Sequence, residues 1–234
     1  MIDNLPLILM IETSTQICSV AISKGKEILA IRDIDIPNAH SSRLSLLIEE
    51  ILEESNLRYK DLSAIAVSKG PGSYTGLRIG VSSAKGFAYG LDIPLISVET
   101  LRILQKAVKA KYPQAYALTM IDARRMEVYC SIFDEEGNIV KELSADIIEE
   151  DIYKDYFKLD KQFVVVGDGA KKCSEAFSKY ENLIFDEDIK LSTRYMSEMV
   201  YDKFVTKDFE DVAYFEPYYL KNFVAAPAKV KGLY

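Results

Sequence analysis

Residues 69–80 read Lys-Gly-Pro-Gly-Ser-Tyr-Thr-Gly-Leu-Arg-Ile-Gly, and the rest of the chain is arranged around this run. An apolar run typical of a buried strand, Ala-Ile-Ala-Val at 64–67, comes just before it. The Gly-Pro-Gly sequence at 70–72 suits a tight turn, because glycine accepts positive φ and proline fixes the bend. Ser73 or Thr75 can then cap a helix. The sequence therefore predicts a strand, a glycine-rich turn and a helix in succession.

The predicted helix carries small residues every four positions, at Gly76, Gly80, Ala84 and Ala88. Residues spaced in this way share one side of a helix and allow another backbone to approach closely. Two interpretations follow: the small side packs on the sheet of its own domain, or it packs on a helix of a partner. The spacing alone favours the first. The turn itself is a weak phosphate-site signal, because no Gly-Lys-Ser/Thr sequence closes it.

Composition indicates a globular protein with a small-molecule site or a protein partner. The 234 residues carry a net charge of −7, and 49% of them are apolar. Such an acidic composition disfavours a primary nucleic-acid binder, which would show a basic patch or stripe. No apolar run approaches the length of a membrane helix, and the first residues lack a basic targeting region. These features predict a cytoplasmic protein that does not contact a membrane.

The cysteines and the histidine argue against a metal centre. Cys18, Cys130 and Cys173 lie far apart in the sequence, which predicts reduced thiols with a structural role. His40 is the single histidine, so no His-x-x-x-His or His-Glu-x-x-His motif is present. It stands at a predicted helix start, where a capping or surface-contact role is favoured over metal ligation or acid–base catalysis. No Ser-His-Asp or Cys-His set can be assigned.

The two halves of the chain repeat the same order of predicted elements. Residues 7–36 are predicted to form an apolar strand, a polar turn and two further strands, and residues 118–145 repeat this order. Ile11 and Ile121, which occupy equivalent places, lie 110 positions apart. Chance similarity of apolar strands is the alternative. The matched acidic strand ends and hairpins favour a duplicated α/β domain.

Helices are predicted where apolar residues recur with helical spacing. They cover about 39–55, the run that ends near 91, 100–111 and 193–207. A further helix is predicted after the Gly-Asp-Gly turn at 167–169.

The polar turns that end the two equivalent first strands are candidate ligand sites. Glu12 ends one strand and Asp122 the other, so a duplicated domain would place their turns across a cleft. Paired turns of this kind can hold the phosphates and magnesium of a nucleotide, with Thr13 beside them and Gly167 and Gly169 at the nucleoside end. The alternative is that both acids are ordinary turn carboxylates. Phosphoryl transfer is unsupported, because Asp122 is followed by Ala-Arg-Arg rather than by glycine.

Motifs spread from residue 8 to residue 221 resemble those of the TsaB family, also called YeaZ, and cover nearly the whole chain. The most specific is the central run at 70–80, which is similar to Gly-Pro-Gly-Ser-Phe-Thr-Gly-Leu-Arg-Ile-Gly. The others are Ile-Leu-Met-Ile-Glu-Thr-Ser-Thr (8–15), His-Ser-Ser-Arg-Leu (40–44), Ile-Asp-Ala-Arg (121–124) with Glu-Val-Tyr (127–129), and Pro-Tyr-Tyr-Leu-Lys (217–221). The chain departs from the family at Glu12, where aspartate is usual.

The resemblance implies an α/β protein with a duplicated actin/Hsp70/sugar-kinase (ASKHA, RNase H-like) fold of two βββαβα-type lobes. The expected boundaries are 1–110 for the N-terminal lobe, which carries partner-binding helices, and 111–234 for the C-terminal lobe. The last helix is expected to be able to pack back on the first lobe. The resemblance also implies a role in making N6-threonylcarbamoyladenosine in tRNA.

In the system that the resemblance implies, a TsaD-type paralogue carries a metal site and transfers the threonylcarbamoyl group. The TsaB-type chain is then a non-catalytic subunit that binds and activates this paralogue. A TsaE-type ATPase joins the larger complex, the isolated chain forms a homodimer, and tRNA is contacted only indirectly. No cofactor is expected, apart from the option of ATP or ADP at a subunit junction.

The same resemblance places the partner interface on the first two helices, and so favours the partner interpretation of the small residues. Its expected members are His40, Arg43, Leu44, Leu47, Gly76, Arg78, Gly80 and Ala84. Two rival hypotheses remain open. One is a nucleotide-binding ATPase or kinase that uses Glu12 and Asp122 to hold magnesium, and the other is a metalloprotease, against which the single histidine argues.

Overall fold

The computed structural model describes residues 5–36 and 40–221. The strands are β1 (Leu7–Glu12), β2 (Ile17–Lys24), β3 (Glu27–Asp35), β4 (Ala64–Gly70), β5 (Leu95–Glu99), β6 (Tyr116–Asp122), β7 (Glu127–Phe133), β8 (Ile139–Ile147), β9 (Phe163–Val166) and β10 (Leu183–Phe185). The α-helices are α1 (His40–Glu54), α2 (Tyr74–Leu91), α3 (Thr100–Lys111), α4 (Lys154–Phe157) and α5 (Ser197–Thr206). None of the described helices is long and apolar enough to cross a membrane.

The strands form two five-stranded sheets with the same topology. The order is β3-β2-β1-β4-β5 in the first sheet and β8-β7-β6-β9-β10 in the second. Each sheet begins as an antiparallel meander and continues with two strands parallel to its first strand. The equivalent strands follow one another in the same order along the chain. The predicted duplicated α/β fold is therefore confirmed.

Apolar side chains on both faces of each sheet stack the elements in layers. In β1, Leu9 and Ile11 face one core with α1 and α2, whereas Ile8 and Met10 face another. That second core contains α3 and α5 and is closed from the far side by the second sheet. The outer face of the second sheet packs on α4 and the aromatic residues near it. Burial on both faces explains why β1 is a continuous apolar run rather than an alternating one.

Two predicted helices differ from the structure. The segment after Gly169 forms only a short 3-10 helix, Lys171–Cys173, followed by turns. These turns still bury Cys173 and Phe177 in the outer core of the second sheet, so a longer helix is not needed for packing. The helix predicted at 193–207 is divided into a 3-10 turn, Thr193–Tyr195, and α5. Helix α5 packs against β5 and β1 of the first sheet.

Helix α2 begins at the glycine-rich turn and lies directly on the end of β1. Ser73 is its N-cap and accepts a hydrogen bond from the Gly76 N–H at 3.3 Å. A Cβ atom added at Gly76 would lie 2.0 Å from the carbonyl oxygen of Thr13, and one at Gly80 would lie 2.2 Å from Thr13 Oγ1. The Thr13 hydroxyl donates to the Gly76 carbonyl at 2.8 Å. Glycine is needed here because the helix and the turn after β1 are in backbone contact.

The small-residue side of α2 therefore faces its own domain. Ala84 and Ala88 are buried in the core between α2 and the first sheet, as are Leu44 and Leu47 of α1. Five of the residues expected at a partner interface, Gly76, Gly80, Ala84, Leu44 and Leu47, are buried within the chain. A partner of these helices would have to approach their opposite side.

We expect Gly76→Ala to lower the free energy of unfolding by about 3 kcal/mol, the upper end of the usual cost of overpacking. The new methyl group would collide with a backbone carbonyl that cannot move cheaply. Gly86→Ala on the same helix is the matched control, because no atom lies within 4 Å of the added Cβ. It should raise stability by about 0.5–1 kcal/mol, since alanine favours a helix. Urea denaturation measures both, and equal midpoints would mean that Gly76 does not touch the turn.

Candidate functional site

Carboxylates from both lobes lie near one another at the ends of equivalent strands. Glu12 is the last residue of β1 and Asp122 the last of β6. Asp168 follows β9, and its Oδ1 atom accepts a hydrogen bond from the Asp122 backbone N–H at 2.9 Å. The Asp168 side chain is exposed, yet desolvation raises its pKa and the charge of Asp122 adds to that rise.

The carboxyl group of Glu12 is fully enclosed by protein. Its Oε1 atom accepts hydrogen bonds from the backbone N–H and the hydroxyl of Ser14, both at 2.5 Å. Among the described residues, Oε2 has no hydrogen-bond partner. Burial raises the pKa of Glu12; the Ser14 and Ser68 contacts act against this rise, and the charge of Asp168 adds to it. This carboxyl group has no surface through which it could reach a ligand.

The carboxylate of Asp122 is matched by a cation from its own chain. Asp122 Oδ1 accepts a hydrogen bond from the Arg124 N–H at 2.8 Å and forms an ion pair with the Lys172 ammonium. The same ammonium donates to the carbonyl oxygens of Arg125 and Glu127, at 2.8 and 2.7 Å. Lys172 therefore holds the β6–β7 turn together and satisfies the acid that the sequence offered as a magnesium ligand.

Gly167, Gly169 and Thr13 are engaged in packing within the chain. Gly167 has a φ of +100°, and a Cβ atom there would lie 2.1 Å from the Met120 carbonyl oxygen. Gly169 donates its N–H to the same oxygen at 3.1 Å. The Thr13 hydroxyl is bonded to Gly76, as described above. These contacts explain the glycines and the threonine without a nucleotide.

This region gives the ATPase or kinase hypothesis no geometric support. A magnesium ion would need carboxylate oxygens turned toward solvent, whereas Glu12 is enclosed and Asp122 is paired with Lys172. Within residues 5–36 and 40–221, no group of three or more His, Cys, Asp or Glu side chains could hold a metal ion. Burial raises the pKa of Cys18 and Cys173 to about 11, so these thiols are unreactive at neutral pH.

The exposed side of α1 and α2 is the other candidate site. Its residues are Arg43 and Leu46 on α1, and Arg78, Ser82, Gly86, Tyr89 and Gly90 on α2. Tyr89 is 83% exposed, and both glycines have open space where a side chain would stand. We refer to these seven residues as the α1–α2 face. Tyrosine and arginine are enriched among the residues that contribute most to protein binding.

His40 anchors the start of α1 rather than presenting itself to a partner. The ring is almost completely buried, and its Nε2–H donates to the Thr15 carbonyl at 2.7 Å. This bond joins the helix to the turn after β1. Of the eight residues expected at an interface, Arg43 and Arg78 are exposed and therefore accessible to a partner.

The C-terminal segment, residues 208–221, connects the site regions in a way that the sequence did not indicate. Its Tyr218 N–H donates to the Lys69 carbonyl at 2.7 Å, at the end of β4. The Tyr219 ring lies 4.8 Å from that of Tyr74 in α2, and its hydroxyl accepts a hydrogen bond from Arg78. Lys221 then forms an ion pair with Glu127 of the second lobe. These partners are 94 to 149 positions apart, so no local motif could reveal them.

We expect Glu12→Gln to stabilise the protein increasingly as the pH rises above the ordinary glutamate pKa of 4.5. Because the folded-state pKa is raised, the wild type is most stable with Glu12 protonated and loses stability as pH rises through that pKa. Glutamine keeps the neutral form at every pH. Urea midpoints of both proteins from pH 4 to pH 8 measure the effect, with the exposed Glu175→Gln as control. A pH-independent difference would contradict it.

Comparisons with known proteins agree with this architecture. Residues 35–214 match the family model described as TsaD, tRNA N6-adenosine threonylcarbamoyltransferase. The chain is also 35% identical over 112 residues to a tRNA N6-adenosine threonylcarbamoyltransferase from Pediococcus pentosaceus, but these cover only 41% of this chain and 32% of that protein. The similarity to this transferase is therefore partial.

Full-length similarity is to a different group of proteins. The chain is 30% identical over 222 residues to the tRNA threonylcarbamoyladenosine biosynthesis protein TsaB of Escherichia coli, covering 93% of this chain and 96% of that one. The TsaB of Haemophilus influenzae is 30% identical over 231 residues, with 94% and 95% covered. The structure of YeaZ from Pseudomonas aeruginosa superposes with a TM-score of 0.79 and 22% identity, over 92% of this chain and 100% of that one. The chain therefore belongs to the TsaB family, also called YeaZ.

Proposed function

We propose that this chain is a non-catalytic subunit that binds and activates a TsaD-type threonylcarbamoyltransferase during N6-threonylcarbamoyladenosine formation in tRNA. The names of its full-length relatives, tRNA threonylcarbamoyladenosine biosynthesis protein TsaB, support the pathway. The engaged carboxyl groups of Glu12 and Asp122 support a role other than nucleotide turnover.

The α1–α2 face is the surface that we assign to the TsaD-type paralogue. The single observation that carries this assignment is the open space over Gly86 and Gly90 on an otherwise well-packed helix. Glycine weakens an exposed helix relative to alanine, so nothing within this chain favours it at these positions. A helix of the partner could approach closely there, with Tyr89 and Arg78 beside it.

The same face would serve a second copy of this chain when the paralogue is absent. The proposal also includes a TsaE-type ATPase in the larger complex and a cytoplasmic location. The nucleotide-binding ATPase remains the rival enzyme hypothesis, and magnesium-dependent ATP hydrolysis by the isolated chain would favour it.

The proposal predicts that Gly86→Arg weakens the heterodimer while leaving the chain folded. Apart from its chain neighbours and the backbone of its own helix, a Cβ atom added at Gly86 has no atom within 4 Å, and the arginine side chain would fill the space into which the partner packs. Light scattering of the chain mixed with its own organism's TsaD-type paralogue measures the mass of the complex. We expect the variant to lose at least about tenfold in affinity, which corresponds to about 1.4 kcal/mol.

The control is Ser178→Arg, which adds the same side chain at an exposed position of the second lobe. It should form the complex as the wild type does. A folded Gly86→Arg variant that still binds would remove the α1–α2 face from the proposal. Absence of any complex between the wild type and the paralogue would overturn the accessory function itself.

A further inference from the structure

We propose that the turn at Arg124 and Arg125 is a phosphate-binding element through which this chain contacts the RNA backbone directly. The inference rests on the proposed function, because it takes the RNA to be the tRNA that the complex modifies. It departs from the expectation that tRNA is contacted only indirectly. Three observations support it: the positive φ angles of the two arginines, the hydrogen bonds that hold the turn in place, and the absence of partners for the two side chains among the described residues.

The backbone of the turn is unfavourable for arginine. Arg124 has a φ of +71° and Arg125 a φ of +49°, both in the left-handed region. Glycine and asparagine adopt this conformation far more readily than residues with long side chains. Two consecutive arginines here therefore act against the local stability of the hairpin. Residues held in such conformations cluster at functional sites, where the side chain rather than the backbone is what the position requires.

Hydrogen bonds from the backbone and from Lys172 hold the turn in place. Ala123 donates its N–H to the Glu127 carbonyl at 3.0 Å and so closes the hairpin. The Lys172 ammonium binds the carbonyls of Arg125 and Glu127, and Asp122 accepts the N–H of Arg124. The two arginine side chains are therefore presented on a fixed backbone, which lowers the entropy cost of binding a ligand.

The guanidinium groups of Arg124 and Arg125 are not matched by an acid among the residues that the structure describes. Both side chains are exposed, and neither has a hydrogen-bond or ion-pair partner in the described part of the chain. Two nearby acids are paired with other cations, Asp122 with Lys172 and Glu127 with Lys221. In a chain with a net charge of −7, a pair of free arginines on one rigid turn is a local site for an anion.

The neighbourhood of the turn favours RNA over an acidic peptide. Tyr129 lies on β7 next to it and is partly exposed. Burial raises the pKa of its phenol, the charges of Lys221 and Arg124 act against that rise, and the charge of Glu127 adds to it. Cationic groups around a partly exposed aromatic ring are typical of surfaces that bind phosphates and bases. The turn belongs to the second lobe, whereas the α1–α2 face lies on the first.

The test is the binding of a fluorescently labelled, unmodified tRNA transcript to the complex of this chain with its TsaD-type paralogue. Anisotropy titrations at several salt concentrations compare the wild type with Arg124→Ala/Arg125→Ala. We expect the variant to lose about tenfold or more in affinity near 0.1 M salt. The slope of log affinity against log salt should fall in magnitude by about 0.7–0.9 for each phosphate that the turn no longer neutralises.

A second variant distinguishes loss of the arginine side chains from damage to the fold of the turn. Arg124→Asn/Arg125→Gly suits the positive φ angles, so it should melt at a higher temperature than the wild type yet bind tRNA as weakly as the alanine variant. The control Lys60→Ala/Lys154→Ala removes the same charge at two other exposed positions and should bind tRNA normally.

The inference is overturned if the turn variants bind tRNA with wild-type affinity and salt slope, or if the control loses as much as they do. It is also overturned if the turn variants fail to bind the paralogue, which would make the turn a protein-binding surface. Light scattering distinguishes these results from failure of the proposed function, in which the wild type forms no complex. In that case the same titration on the chain alone tests the turn.

Discussion

The close contact between α2 and the turn after β1 determines how the first lobe is assembled. Gly76 and Gly80 bring the helix so close to Thr13 that a single added carbon atom would collide with it. The Ser73 N–H donates to the Ser14 carbonyl at 2.7 Å, and Ser14 in turn binds the Glu12 carboxyl group. This backbone contact places α2 on the first sheet and helps to enclose Glu12. It also determines which side of α2 remains exposed and available to a partner.

The two lobes share a topology but treat their equivalent acids in opposite ways. In the first lobe, Glu12 is fully buried, and burial raises the pKa of its carboxyl group and so favours the protonated form. In the second lobe, Asp122 keeps its charge and is neutralised by Lys172, which also binds two backbone carbonyls. Duplication has therefore preserved the strands while the strand ends have acquired separate roles: one is part of the core, and the other supports a turn that carries two arginines.

The sequence was sufficient for the strands and their duplication, because buried strands appear as apolar runs and the polar turns repeat in the same order. The sequence could not show whether the small residues of α2 face the sheet of their own lobe or a partner, since the spacing of Gly76, Gly80 and Ala84 is the same in both cases. The role of Lys172 was also hidden, because its partners lie 45 to 50 positions away. Short-range patterns determine elements, whereas contacts between distant residues determine which side chains are free.

The course of the C-terminal segment has a consequence for how the two lobes can be separated. The chain leaves the first lobe through α3, builds the second sheet, and returns with α5 to the core of the first. It then runs past β4 and α2 before Lys221 meets Glu127 in the second lobe. Each lobe thus contains contacts from segments of the chain that belong to the other half of the sequence. Cutting the chain at residue 110 would therefore not yield two halves that fold independently. The first half would lack the helix that covers β1 and β5, so the two repeats depend on each other for a complete core.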